Sequence, residues 1–380
     1  MSILIEDSPR NLLTWIQTAV GNGSARGAVM TPFATPRVGK AHRRGASAMS
    51  SELVASGAEV WFDATTHALQ MGGVGDFRYY DEYTLWGGPR GDVTTTAARH
   101  EHLRLVFALQ EAMGAKHLAP TVLLHHGESN TSQLALELAE EAVALELDTW
   151  LTIAGTPPLW SSERALDAHI GALAQLNPAG WFITVARPLA SLPVGAEQEE
   201  VHGLCRTVRA LAEYAPVHIS HGDLAALPTV AAGASSVGTG WDQRQRVCGF
   251  NSYASRDAGG GGGGWYERPT FPGLLASLKQ NEAALLARVD AARAARLGPV
   301  PPPGAEEAFS HHLQVLDGLL TRVLMAGDFG ARYIELKGMY AAAAGEWPQV
   351  QAITGSTLNA TDWIDELAAG LAAYGAGEGW

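Results

Sequence analysis

Only two cysteines stand in this 380-residue chain, Cys205 and Cys248. A pair that small builds neither a disulfide framework nor a four-cysteine zinc site. A reducing compartment is the simplest setting for it. No stretch approaches the roughly 18 apolar residues that a bilayer helix needs, so no membrane contact is expected. The N-terminal residues include Glu6, Asp7, Pro9 and Arg10, where a secretory signal would carry a basic and then an apolar run. A cytoplasmic, soluble protein is therefore expected. Charge is also scarce, at 17% of residues, and it is skewed: 26 Lys+Arg against 39 Asp+Glu give a net of -13. That balance disfavours a protein that coats nucleic acid by charge alone. Nucleic-acid contact would have to come from a local patch, such as KAHRR at 40–44 or RQR at 244–246.

Apolar material is plentiful, at 47% of residues, enough for a large core. Seven apolar runs read as strands: 27–33, 59–62, 121–124, 150–154, 181–186, 217–220 and 235–240. Helical spacing separates each from the next, as in 97–113, 132–147, 161–176 and 199–214. Repeated βα units imply a parallel sheet, covered on both faces. No G-x-G-x-x-G turn follows the first of these runs, which argues against an open dinucleotide-binding sheet. The expected fold is an α/β (β/α)8 TIM-type barrel over residues 1–255, with an added C-terminal helical region over 306–380. Between them, 256–305 reads as a Gly/Pro-rich insertion and linker, with six consecutive glycines at 259–264 and VPPPG at 300–304.

In such barrels the reactive groups sit where strands end. That rule selects Asp63 and His67 after the second run, and His125 and His126 after the third. It selects Arg187 after the fifth, and His221 with Asp223 after the sixth. Arg187 suits a phosphate or carboxylate, or a salt bridge to an acid such as Glu128. Asp223 suits acid–base work beside His221, or the N-cap of a helix from Leu224. The loop at 72–83 is long and rich in glycine, aromatics and acids. The densest signal is GASSVGTGWDQRQR at 233–246. Trp241 offers a stacking surface, Asp242 a carboxylate, and Arg244 and Arg246 two cations. No histidine, cysteine or carboxylate spacing demands a metal, and no cofactor motif is present.

The order of several short motifs resembles the tRNA-guanine transglycosylase superfamily, including its DNA-modifying relatives that insert 7-deazaguanines. SSELVASGAEV at 50–60 is similar to the family's TPEELKATGAEII, and THAL at 66–69 to TYHL. ALQEAMGA at 108–115 resembles QEALGAD, and WLTIAG at 150–155 sits where the family has LFGIVQGG. NPAGWFI at 177–183 resembles GYAIGG, VAAGA at 230–234 resembles AVARGVD, and SHHL at 310–313 resembles IHNLHF. The resemblance spans about 220 residues of barrel and one later helix. It implies base exchange at an N-glycosidic bond, with one aspartate attacking the sugar and another acting as acid or base. Asp63 is the nearest counterpart of the aspartate in DSGGFQ. The nucleophile's place falls on Val237-Gly238-Thr239, which carries no carboxylate, and Asp242 lies just beyond. The zinc-binding cysteine cluster of the family is absent.

Three functional readings fit these residues. The first is a divergent transglycosylase-like enzyme, with Asp63 and Asp242 catalytic. Around them His67, His126, Arg187, His221, Asp223, Trp241, Arg244 and Arg246 would bind the substrate. The second is a non-catalytic barrel that binds a base or partners another subunit. The third is an unrelated barrel enzyme that holds a phosphate at Gly238–Gly240. The expected partner is a small-molecule base or nucleotide, with a homo- or hetero-oligomer open.

Overall fold

The computed structural model describes residues 2–7, 12–40, 43–255, 268–356 and 360–380, the last group without the side chains of 360–363. The glycine run at 259–264 lies outside them. Eight parallel strands form the centre. They are β1 (Ser2–Glu6), β2 (Gly27–Met30), β3 (Glu59–Phe62), β4 in two pieces (Leu118–Ala119 and Leu123–Leu124), β5 (Trp150–Gly155), β6 (Gly180–Arg187), β7 (Val217–Ser220) and β8 (Ser236–Thr239). Their spatial order is β3-β2-β1-β8-β7-β6-β5-β4. A parallel bridge from Trp61 to Lys116 brings the two ends together, so the sheet is barrel-like and nearly closed. Helices connect most successive strands.

All seven apolar runs contain strand residues, and the structure adds an eighth strand at the start of the chain. Ser2–Glu6 pairs with β2 on one side and β8 on the other, and so joins the two halves of the sheet. The shared register of these strands places their side chains in layers. Side chains alternate in a strand, so residues two apart share a face. Leu4, Val29, Trp61, Leu118, Trp150 and Phe182 pack into one apolar cluster enclosed by the sheet. Two residues further along their strands stand Glu6, Thr31, Asp63 and Thr184, on the same inner face at the carboxyl end. A dry layer thus floors a polar one.

The main core lies between the outer face of the sheet and the helices. It runs unbroken from Ile5 and Ile219 into Leu320, Tyr340, Trp347 and Tyr374 of the C-terminal helices. Those helices, Ala305–Met325, Phe329–Thr354 and Ala360–Glu378, are therefore a layer on the sheet and share its core. The stretch expected as linker is partly folded: a short hairpin joins Thr270–Phe271 to Ala276–Ser277, and helices Gln280–Val289 and Ala291–Leu297 follow. Among the described residues no helix is long and apolar enough to cross a membrane.

Close packing shows at Gly203, in helix Gln198–Leu211, where a Cβ would collide with the carbonyl oxygen of Trp160. Gly203→Ala is expected to lose about 1–3 kcal/mol, a fall of several degrees in Tm. Gly171, in helix Arg164–Ala174, has nothing within 4 Å of that position. Gly171→Ala is expected to be neutral or to gain up to about 1 kcal/mol. Equal melting temperatures for the two variants would contradict this packing.

Candidate functional site

The polar layer is organised by Glu6, the last residue of β1, which is 2% exposed. Its Oε1 accepts hydrogen bonds from Ser220 Oγ at 2.9 Å and from the backbone N–H of His221 at 3.0 Å. His221 Nε2 lies 3.8 Å from Oε2, and His218 Nε2 lies 4.0 Å from Oε1. Burial alone would raise the pKa of Glu6, but His221, His218 and the donated N–H more than offset it, so it stays ionised. Room for the carboxylate comes from Gly238 on β8, where a Cβ would run into Oε1. Gly238 thus serves close approach within the strand.

Asp63 follows β3 on the same face. Its Oδ1 accepts the Thr65 N–H at 2.7 Å, and Thr31 Oγ1 meets Thr65 Oγ1 at 3.0 Å. A little of its surface is accessible, yet it lies deep among protein atoms. Burial pushes its pKa up, the Thr65 N–H pulls it down, and the Glu6 charge adds to the rise, for a result of about 7. One carboxylate is therefore fixed as an anion, while its neighbour is poised to carry a proton at neutral pH.

Two histidines complete the centre. His221 Nδ1 meets the carbonyl oxygen of Gln245 at 3.1 Å, so Nδ1 is the donor and the ring is oriented. His67 is 1% exposed, and neither of its ring nitrogens has a hydrogen-bond partner among the described residues. Burial, and then the charge of His221, lower its pKa to about 3, so it is neutral. Thr65, His221 and Asp223 have φ of 53°, 51° and 44°. Left-handed backbone at non-glycine residues concentrates at functional sites, where the surrounding fold holds it.

The aromatics of the 72–83 loop cover this mouth. Phe33 packs at 4.9 Å from the rings of both Tyr80 and Tyr253, and Phe77 lies 6.0 Å from Phe33. The Asp63 charge acts on both tyrosines, which places the cluster beside that carboxyl. Cys248 Sγ lies 3.6 Å from Tyr253 Oη, and burial, with Asp63 and Glu6 near, pushes its thiol up to about 12. It is no nucleophile at neutral pH.

The structure brings Asp63, His67 and His221 together and disperses the other expected residues. Asp242 caps the short helix Gln243–Arg246, accepting the N–H groups of Arg244 and Gln245. Trp241 is buried edge-on to Trp15 at 5.6 Å, and Arg244 sits half-buried on the short helix. Arg187 turns inward to Glu200, with Nη1 3.1 Å from Oε2. His126 is exposed, and its Nδ1 accepts the Glu128 N–H at 3.1 Å. Asp223 is not a helix cap: it meets Thr239 Oγ1 at 3.0 Å and His312 Nε2 at 2.9 Å, while Arg246 Nε donates to the Gly240 carbonyl at 2.9 Å. The turn expected to hold phosphate is filled by Glu6 against Gly238 and by the Gln245 side chain against Gly240. Lys40 pairs with Glu82 at 2.7 Å, Arg43 with Asp7 at 3.4 Å, and Arg44 with Glu52, which neutralises that patch. Among the described residues no group of three or more His, Cys, Asp or Glu is placed to hold a metal.

Glu6 is the member of this polar centre that sequence reasoning missed. Its signal is the run Ile3-Leu4-Ile5 ending in a carboxylate.

No family model matches the chain, and no curated protein matches it. Among solved structures, the Amycolatopsis orientalis BexX/CysO complex is similar at 14% identity and a TM-score of 0.36, covering 62% of this chain and 79% of that one. A likeness of that size assigns neither fold nor chemistry.

The raised pKa of Asp63 carries a sign. The folded chain keeps its proton up to about pH 7, whereas the unfolded chain loses it near the ordinary carboxylate value of 3.8. Asp63 thus favours the fold at acid pH, and that contribution is lost as pH rises through about 7. Asp63→Asn is expected to raise Tm relative to the unaltered chain at pH 8 more than at pH 4. Thermal melts showing the same difference at both values would contradict a raised pKa.

Proposed function

We propose that this chain is a (β/α)8-barrel enzyme of acid–base type, acting on a nucleobase at an N-glycosidic bond. The observation that carries the reading is the carboxyl pair on the inner face: Glu6 held ionised, and Asp63 raised to about 7 beside it. Such divergence between neighbouring carboxyls suits one to proton transfer and the other to charge stabilisation. The aromatic cluster of Phe33, Phe77 and Tyr80 next to Asp63 suits a planar heteroaromatic ring. The resemblance in motif order points to the same chemistry.

In base exchange, the glycosidic C–N bond breaks with its electron pair leaving on the base. Protonated Asp63 donates its proton to that base. Positive charge develops on the sugar, and the Glu6 anion stabilises it across a low-dielectric space. The incoming base forms the new C–N bond, and Asp63 takes up the proton that base releases. Glu6 also faces the His221 ring, which Gln245 orients, so His221 is a second proton carrier. Glu6 supplies a carboxylate in the very space that Gly238 leaves on β8. That is why the absence of an aspartate there is compatible with the reading.

The non-catalytic alternative predicts no turnover at all. Exchange of labelled guanine into a guanine-containing nucleoside or nucleic acid separates the two. Asp63→Asn is expected to lower the rate about 10²–10⁴-fold. Asp242→Asn keeps an acceptor oxygen for the helix cap and is expected to leave both stability and chemistry nearly unchanged. Undiminished exchange by Asp63→Asn would sink the proposal.

A further inference from the structure

The polar centre around Glu6 and Asp63 holds hydrogen-bonding atoms that the fold itself does not use. His67 lies on the turn Thr66–Gln70 that follows β3. The other polar side chains of this stretch are tied down. Thr65 Oγ1 meets Thr31 Oγ1 at 3.0 Å, Thr66 Oγ1 meets His102 Nε2 at 2.9 Å, and Gln70 Oε1 accepts the Leu123 N–H at 2.6 Å. His67 differs from them: it is buried, and both of its ring nitrogens are without a hydrogen-bond partner among the described residues. The charge of His221 acts on its ring, which sets that ring near the Glu6 centre. Thr184, midway along β6, repeats the pattern. It stands on the inner face, in register with Ser220 of β7. Ser220 gives its hydroxyl to Glu6, whereas Thr184 Oγ1, also buried, has no partner among the described residues.

A buried polar atom left unpaired opposes folding. Three such atoms around one centre point to a partner that arrives with the ligand. The centre is open at Asp63, which keeps some accessible surface. His67 is neutral, so one ring nitrogen donates and the other accepts. The Thr184 hydroxyl does either. The Glu6 anion opposes a second negative charge nearby, as its effect on Asp63 shows. The matching ligand groups are therefore uncharged and of both kinds: N–H donors, and carbonyl or ring-nitrogen acceptors. We propose that His67 and Thr184 are the recognition residues of this centre, hydrogen-bonding the polar edge of an uncharged heterocycle whose leaving nitrogen faces Asp63. The inference rests on the base-site reading, and adds which side chains select the ligand and through which groups.

Thermal melts of the full chain, with calorimetric binding of guanine and of unsubstituted purine, test it. His67→Leu and Thr184→Val remove unpaired polar atoms at similar volume. Each is expected to leave the Tm of the free chain unchanged or raised, and to weaken guanine binding about five- to hundredfold. Purine lacks the carbonyl and amino groups, so its affinity is expected to be lower and to change little in either variant. Ser220→Ala, which removes a hydroxyl already in use, is expected to lower Tm. Ring-nitrogen NMR of His67 needs no variant, and its signals are expected to move when guanine is added. A lowered Tm with unchanged guanine affinity in His67→Leu, or His67 signals that guanine leaves in place, would overturn this inference while the base site stands. Failure of the unaltered chain to bind either base would overturn the base-site reading, and this assignment with it.

Discussion

The Glu6 carboxylate is the constraint on which the centre of this protein depends. An ionised carboxylate inside a sheet is expensive unless its oxygens are satisfied. Here the Ser220 hydroxyl of β7 and the His221 N–H just beyond it both donate to Oε1, the His221 ring faces Oε2 at 3.8 Å, and β8 makes room by presenting Gly238. Three neighbouring strands thus fit one another around a single side chain. The apolar layer of Leu4, Trp61 and Phe182 beneath excludes water from one side and keeps the local dielectric low.

That anion shapes the properties of its neighbours. Asp63, already desolvated, gains a further reason to keep its proton. His221 is turned so that one nitrogen faces Gln245 and the other faces Glu6. Cys248 and Tyr253 are discouraged from ionising. Groups that would each be ordinary at the surface become differentiated within one buried cluster. The same arrangement opposes stability at neutral pH, because the folded chain resists ionising Asp63. Sites that work by acid–base chemistry commonly accept such a penalty.

Much of the scaffold is legible in the sequence. Runs such as WLTIA and WFITVA announce buried parallel strands because both of their faces are covered. Asp63, His67 and His221 are legible from the strand-end rule alone. Glu6 is not, because SILIE holds only three consecutive apolar residues and no recognisable helix-to-strand turn leads into it. Asp242 and Arg187 draw attention by residue type. Their partners, backbone N–H groups in one case and Glu200 in the other, are set by local turn geometry and by helix packing. Long-range pairings such as Asp223 with His312 join residues 89 positions apart and carry no local signature.

The central claim is that burial holds the proton on Asp63 and that the Glu6 anion adds to that hold. Carboxyl carbon NMR titration of Asp63, in the unaltered chain and in Glu6→Gln, tests it most directly. The glutamine retains an acceptor oxygen for Ser220 and His221 while removing the charge. The account predicts titration near pH 7 in the unaltered chain and a downward move in the variant that still leaves Asp63 above the ordinary carboxylate range, because burial is the larger cause. An Asp63 that titrates in the ordinary carboxylate range, or that is unmoved by Glu6→Gln, would contradict it.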